Sequence, residues 1–219
     1  MYKYDSRHIQ SGDIYICLPK GEKHIEDAYK KGAKGVLITN REKMACLVAD
    51  YFNHPSKKLT VIGVTGTNGK TTVVNILQQV LEKAGHKPYC LGTLNSELTT
   101  PESLDIQEKM ATHLKNGGTH FVMEVSSHAI AQSRVKEIDF DIKILTNITQ
   151  DHLDYHQTLE NYRNTKLRFM SDGVGKSIFP NDYEGIQIQY KNPLKGEFNR
   201  QNQQAIIKGL LYCGISEEK

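Results

Sequence analysis

Short apolar, β-branched runs alternate along the chain with segments whose apolar residues recur every three or four positions. The runs lie at 13–18 (DIYICL), 35–38 (GVLI), 59–64 (LTVIGV), 87–92 (KPYCLG), 119–125 (THFVMEV) and 141–147 (DIKILTN), and their lengths suit strands buried on both faces. Between them the spacing predicts helices around 24–33, over 41–52, from Lys70 to about Ala84, over 102–116 and over 159–170. Weaker strands are expected at 176–180 and 186–190, and a last helix from about Asn199 to Cys213. This rhythm of strand, helix and strand predicts an α/β protein with a mostly parallel sheet. The polar, proline-bearing stretch 53–58 (NHPSKK) divides the chain into a small α/β module, residues 1–57, and a P-loop ATPase-type domain, residues 58–219.

Composition narrows the class. With 38% hydrophobic and 24% charged residues the chain reads as soluble and globular. Its 28 basic and 25 acidic residues are spread along the whole length, so no nucleic-acid partner is expected. Cys17, Cys46, Cys90 and Cys213 form no C-x-x-C pair, which argues against a zinc knuckle or a disulfide framework and for a reducing, cytoplasmic setting. The polar N-terminus lacks the apolar core of a secretory signal, and no run approaches the roughly 18 apolar residues of a membrane span. No membrane partner is expected.

The chemistry concentrates after the third apolar run, where GVTGTNGKTT begins at Gly63. An apolar strand enters a turn of Gly66, Thr67, Asn68 and Gly69, and a helix follows with Val73, Ile76, Leu77, Val80 and Leu81 on one side. Backbone N–H groups of such a turn hold phosphate oxygens, Lys70 neutralises them, and a hydroxyl from Thr71 or Thr72 reaches magnesium. The common spacing of this loop would place a glycine where Val64 stands, a shift that loop physics leaves unexplained.

Two further strand ends carry polar groups. Glu124 closes a buried-looking run, where an unpaired carboxylate is costly. It is either a metal ligand or a cap, with Ser126 and Ser127, of the helix that follows. The next run ends in Asn147, Asp151, His152, Asp154 and His156, at the edge where α/β sheets collect ligands. Taken singly, His152 and His156 are more often surface or capping groups than ligands; two polar clusters at consecutive strand ends beside a phosphate loop bring the two readings level.

The loop GTNGKTT with its shifted glycine resembles that of the Mur ligase family. So do TTPESLD at 99–105, EVSSHAIAQSRV at 124–135, FD at 140–141 and TNITQDHLDYHQTLENYRNTKLRFM at 146–170, which point within the family to the UDP-N-acetylmuramoyl-tripeptide synthetases. DSRHIQSGDIYICL at 5–18 is similar to a segment of their uridine-nucleotide domain, and LKGEFNRQNQQAIIKGLLYCGI at 194–215 to the segment that closes their ATPase domain.

The resemblance implies an ATP-dependent ligase of peptidoglycan precursor synthesis. ATP phosphorylates the free carboxylate of UDP-MurNAc-L-Ala-D-Glu, and the amine of a third amino acid displaces phosphate from the acyl phosphate. By the same resemblance Lys70 holds the phosphates, Thr71 and Glu124 serve one Mg2+, His152 and Lys166 serve a second, and Asn147 contacts adenine. Lys166 corresponds to a lysine that CO2 carbamylates into an anionic oxygen ligand; by its residue type and position alone it reads as a solvated lysine on a helix face. Ser6, Thr99, Thr100, Ser126, Gln132 and Arg134 correspond to sugar-peptide contacts, Arg134 either forking onto a substrate carboxylate or phosphate or being a surface arginine at a helix end.

Measured against the family, the stretches after Gly21 and between Lys176 and Lys195 are short. The family's third domain is absent, so the chain is expected to be either a portion of such a ligase or a module to which a partner supplies that domain. Two other readings stand beside this one: a truncated, non-catalytic nucleotide-binding module, and a related ligase such as folylpolyglutamate synthetase. The DSR segment and the EVSSHA and Q-x-R cluster speak against the latter.

Overall fold

The computed structural model describes residues 1–188 and 196–215. Its first three strands, β1 (Tyr2–Lys3), β2 (Ile14–Cys17) and β3 (Gly35–Ile38), form one small sheet in that order, with both pairs parallel. The run at 59–64 becomes β4 (Thr60–Thr65), the middle strand of a second, five-stranded sheet with β5 (Pro88–Leu91), β6 (His120–Glu124), β7 (Ile142–Leu145) and β8 (Lys176–Ile178). The order is β5-β6-β4-β7-β8 and every pair is parallel. Because the chain leaves β4 first to one side and later to the other, a topological switch point opens at the C-terminal end of β4, where such sheets bind ligands.

The helices are α1 (Ile25–Lys30), α2 (Arg41–Tyr51), α3 (Lys70–Lys83), α4 (Ser103–Lys115), α5 (Ser127–Ala131), α6 (Leu153–His156), α7 (Leu159–Ser171), α8 (Pro180–Tyr183) and α9 (Glu197–Tyr212). Alternate strand residues face opposite layers, as the period of a strand requires. Ile62, Val64, Val122 and Ile144 pack with Leu77 and Leu81 of α3 and with Ile206 and Leu210 of α9. Val61, Phe121 and Met123 pack with Ile106 and Met110 of α4 and Phe169 of α7 on the other side. Gly63 lets β4 pass close under Phe140, whose ring would stand 2.6 Å from a Cβ at that position.

The small sheet meets the rest of the fold through α2 and α4. Ile16, Met44 and Val48 form one apolar cluster with Leu104, and the Tyr4 hydroxyl donates to Asp105 Oδ2 at 2.6 Å. The polar stretch at 53–58 is packed into the fold: Pro55 and Ser56 are buried, and Ser56 Oγ accepts from the Asp139 N–H at 3.2 Å.

The long periodic segments fold as predicted, within a residue or two at each end, except that the helix expected around 24–33 ends at Lys30, where Lys31 caps it and Gly32 at φ 95° turns the chain. The strand expected at 186–190 does not form over 186–188, and residues 189 and 190 lie outside the described residues. β1, α5, α6 and α8, of two to five residues, are too short for a period to register in sequence. Among the described residues no helix is long and apolar enough to cross a membrane.

Candidate active site

From the end of β4 the chain turns into α3 through Gly66, Thr67, Asn68 and Gly69. Gly66 has φ 150°, and a Cβ there would meet Thr146 Oγ1 at 1.9 Å; Gly69 has φ 87°, and a Cβ there would meet Asn202 Oδ1 at 2.4 Å. Only glycine fits either position. The end of β7 braces the loop. Thr67 N–H donates to Asn147 O at 2.9 Å, Asn68 N–H to Asn147 Oδ1 at 3.0 Å, and the Thr146 hydroxyl to Asn68 O at 2.6 Å. Asn147 Nδ2 in turn donates to Asn68 O at 3.0 Å, so both ends of this amide hold the loop.

Lys70 folds back over the loop, its Nζ donating to Gly66 O at 2.8 Å and Thr67 O at 2.9 Å. Burial lowers its pKa, against the opposing pull of Glu124 and Asp151. Thr71, in the first turn of α3, directs its hydroxyl to both oxygens of Glu124 at 3.0 Å, and Thr72 follows it half-buried on the same helix.

Glu124 is 1% exposed at the end of β6. Its carboxylate also accepts from Thr93 N–H at 2.9 Å, and a Cβ on Gly92 would stand 2.3 Å from it. The ends of β5 and β6 and the start of α3 therefore meet at one buried carboxylate. Of the cap expected from Glu124 and the two serines, Ser126 alone caps α5, its Oγ accepting from Ala129 N–H at 3.2 Å, while the Glu124 carboxylate turns instead to Thr71 and Thr93.

Lys166 is also 1% exposed, which overturns the solvated helix-face reading. From α7 its Nζ donates to Thr65 Oγ1 at 3.2 Å and Gly66 O at 3.1 Å, and it lies 4.8 Å from the centre of the Tyr162 ring. Burial, then the neighbouring charge of Lys70, push its pKa down to about 7, with Asp151 pulling the other way. Neither cost is small for an ammonium, and both favour the neutral amine.

His152 sits at φ 51° before α6, with its N–H on Asp151 Oδ1 at 2.8 Å and its Nε2 3.4 Å from Asp151 Oδ2. Its ring centre is 4.9 Å from that of His128 and 6.3 Å from that of Tyr162. His156 is buried beside them with no hydrogen-bond partner for Nε2. Burial, then His128, His152 and Lys166, lower its pKa.

A second group adjoins Glu124 along the backbone. The Thr100 hydroxyl donates to Glu124 O at 2.9 Å and accepts from Ser126 N–H at 3.0 Å, while Thr99 Oγ1 lies 3.3 Å from Thr93 Oγ1. Arg134 donates through Nη1 to Thr100 O at 2.9 Å and through Nη2 to Gln132 Oε1 at 2.5 Å. Beside this group a cleft of about 690 Å³ opens, with Tyr4 and His8 from the N-terminal segment and Leu98, Pro101 and Asp105 among its walls.

A family model, the Mur ligase middle domain, matches residues 64–197, the stretch that carries this loop and both strand ends. The chain belongs to the Mur ligase family. It is 38% identical over 222 residues to a UDP-N-acetylmuramoyl-L-alanyl-D-glutamate--2,6-diaminopimelate ligase of Clostridioides difficile, covering 89% of this chain and 46% of that protein. A ligase of the same name from Syntrophomonas wolfei is 40% identical over 194 residues, covering 75% of this chain and 40% of that protein. This Mur ligase chain thus spans about half the length of the curated relatives it matches. The solved structure of another ligase of that name superposes with a TM-score of 0.79 at 24% identity, over 98% of this chain and 60% of that one, which bears on the fold alone.

In this Mur ligase chain the fold brings together Gly66, Thr67, Asn68, Gly69, Lys70, Thr71, Glu124, Asn147 and Lys166, with Thr99, Thr100, Ser126, Gln132 and Arg134 adjoining. Ser6 stays apart. It is buried in the N-terminal module with its carbonyl on Lys31 Nζ at 3.2 Å, and Tyr4 and His8 on either side of it line the cleft instead. Sequence reasoning missed Thr65, Thr93, Tyr162 and His128. Tyr162 precedes Lys166 by one helical turn, a spacing that alone signals a shared face; Thr93 carries no such signal.

Proposed function

We propose that the chain carries the nucleotide site and the sugar-peptide site of an ATP-dependent acid–amino-acid ligase, which adds the third residue to UDP-MurNAc-L-Ala-D-Glu. The observation that carries the reading is the buried Glu124 carboxylate on the Thr71 hydroxyl at the mouth of the phosphate loop. A carboxylate and a hydroxyl at a helix N-terminus are the hard oxygen donors that magnesium takes alongside the phosphates of its nucleotide. When bound there, Mg2+ offsets the negative charge of the phosphates.

The chain's own residues account for the rest. The loop amides and Lys70, now turned onto Gly66 O and Thr67 O, exchange those contacts for phosphate oxygens. The γ-phosphoryl group leaves ADP and bonds to an oxygen of the substrate carboxylate. The incoming amine then attacks the acyl carbon, phosphate departs with the electron pair, and the amide nitrogen loses a proton. Positioning and charge stabilisation are the protein's contribution to such a transfer.

Lys166, whose pKa is pushed down to about 7, presents a substantial fraction of neutral amine near neutrality, the form that adds CO2 to give a carbamate. As a carbamate it would join His152 in holding a second Mg2+. Asn147 would turn from Asn68 toward adenine, and Thr99, Thr100, Ser126, Gln132 and Arg134 would hold the sugar-peptide, with Tyr4 and His8 rather than the buried Ser6 facing it from the N-terminal segment. Relatives named as 2,6-diaminopimelate ligases favour diaminopimelate as the third residue. Choice of that amino acid, and closure over ATP, we assign to a domain outside the matched region, on the same polypeptide or a partner. The setting is cytoplasmic, where ATP and nucleotide-sugars are available.

The test is ADP release by the purified chain with Mg-ATP, bicarbonate and UDP-MurNAc-L-Ala-D-Glu, with and without diaminopimelate or lysine. Amino-acid-dependent release with a tripeptide product supports the ligase. Lys70→Ala is expected to abolish it. Nucleotide binding without any turnover supports the non-catalytic module instead.

A further inference from the structure

Glu102 is 5% exposed at the N-terminal end of α4, and two arginines converge on it from different parts of the molecule. Arg41, the first residue of α2 in the N-terminal module, grips it with a fork: Nε to Oε1 at 3.0 Å and to Oε2 at 3.1 Å, and Nη2 to Oε1 at 2.9 Å. Arg134, from the sugar-peptide group, approaches with Nε 3.4 Å from Oε1, close enough for charge attraction, yet that buried Nε–H has no hydrogen-bond partner. The carboxylate is shared unequally. Arg41 holds its oxygens, so the Arg134 Nε–H stays unbonded and the guanidinium remains anchored on Thr100 O and Gln132 Oε1.

We infer that Arg41 is a positioning residue for the sugar-peptide site, acting through Glu102 on Arg134. The inference rests on the reading of Arg134 as the group that meets a substrate oxyanion. With Arg41 in place, Glu102 sits near enough to hold the guanidinium but turned so that it does not close a paired fork with it. Without Arg41, a buried carboxylate is left short of donors, a state that costs more than a modest side-chain shift. The nearest cation is Arg134. Glu102 then closes on it, two parallel hydrogen bonds form through Nε and Nη2, and the guanidinium is drawn off Gln132 Oε1 and Thr100 O, away from the position in which its Nη groups meet an incoming carboxylate or phosphate. The position of the N-terminal module is in this way read directly by the substrate site.

The sign of this relay gives it a test that a merely structural contact would fail. Calorimetry of the full chain with UDP-MurNAc-L-Ala-D-Glu is expected to show Arg41→Ala binding about tenfold more weakly, the equivalent of one charge-assisted hydrogen bond, with Mg-ADP affinity unchanged. Adding Glu102→Gln to Arg41→Ala should recover most of the loss, because a neutral amide does not capture Arg134. Sugar-peptide binding by Arg41→Ala equal to that of the unaltered chain, or a double variant no better than the single one, would overturn the relay. A substrate-free readout separates its failure from that of the proposed function. The Arg134 Nε–H resonance, identified by its loss in Arg134→Lys, should move in Arg41→Ala and return in the double variant. If it moves as expected while the unaltered chain binds nucleotide but no sugar-peptide, the relay stands and the substrate assignment falls. If it does not move, the relay is wrong.

Discussion

Thr71 Oγ1 stands 3.0 Å from both carboxylate oxygens of Glu124, so the first turn of α3 and the end of β6 are joined by one buried polar contact. With Thr93 N–H on the same carboxylate, these donors account for how a charged group is tolerated inside the sheet edge. The same arrangement leaves oxygen atoms facing the phosphate loop.

Glu124→Gln is therefore expected to abolish the magnesium dependence of ADP affinity, because the amide keeps the shape and loses the charge. Titrations with Mg2+ and with EDTA measure this. A variant that gains as much affinity from magnesium as the unaltered chain would contradict the role of Glu124.

Lys166 makes stability depend on pH in a defined direction. In the unfolded chain its amine stays charged up to about pH 10.4, whereas in the fold its pKa is pushed down to about 7. Between these values the unfolded chain binds the additional proton, so this group makes stability rise with pH from about 7 toward 10, and its penalty is complete below 7. Lys166→Met should flatten that rise in urea unfolding midpoints at pH 7 and pH 9 in CO2-free buffer. An unchanged slope would mean that the amine is as readily charged in the fold as in water.

The same low pKa favours carbamylation. Carbon-13-labelled bicarbonate should give one protein-bound carbonyl resonance that Lys166→Arg lacks, and short-chain acids should partly restore activity to Lys166→Ala. Full activity of Lys166→Ala without added acid would end the carbamate proposal.

Gly66→Ala places a Cβ 1.9 Å from Thr146 Oγ1 on backbone at φ 150°. Such a residue costs about 1–3 kcal/mol in backbone strain alone, so denaturant unfolding should show at least that loss, together with weaker ADP binding. Gly35→Ala, where a Cβ meets nothing within 4 Å, serves as the control and should be nearly neutral.

His120 predicts an acid-labile fold. It is buried at the start of β6, with Nδ1 2.9 Å from Thr119 Oγ1 and its ring centre 4.5 Å from that of His86. Burial, then His86 and His113, push its pKa down to about 4. The unfolded imidazole titrates near 6.5, so stability from this group is lost as pH falls from about 6.5 to about 4 and changes no further below that. Thermal unfolding of His120→Asn at pH 7 and pH 4.5 should show a smaller drop than the unaltered chain.

Much of this was legible along the chain because the signals are local. A buried strand announces itself by a continuous apolar run and α3 by its periodic apolar face, so β4, β6, β7, α3, α4 and α7 lie where their residues place them. The phosphate loop is contiguous, and Gly66 and Gly69 are needed for backbone reasons that a motif records directly. Where the pattern was brief the reading lapsed: β1, of two residues, has no period to detect.

Tertiary structure decided which polar groups share a charge and which lose contact with water. Thr93 carries no sequence signal and Tyr162 only its spacing from Lys166, yet one donates to Glu124 and the other lies beneath Lys166. Residue type and spacing left Lys166 as a solvated lysine, and the fold buries it against Thr65 and Gly66. Arg41, Glu102 and Arg134 meet only because α2 lies against α4. The physical reason is the same throughout. Local conformation follows from neighbours in sequence, whereas desolvation and charge pairing are set by whichever distant segments exclude the water.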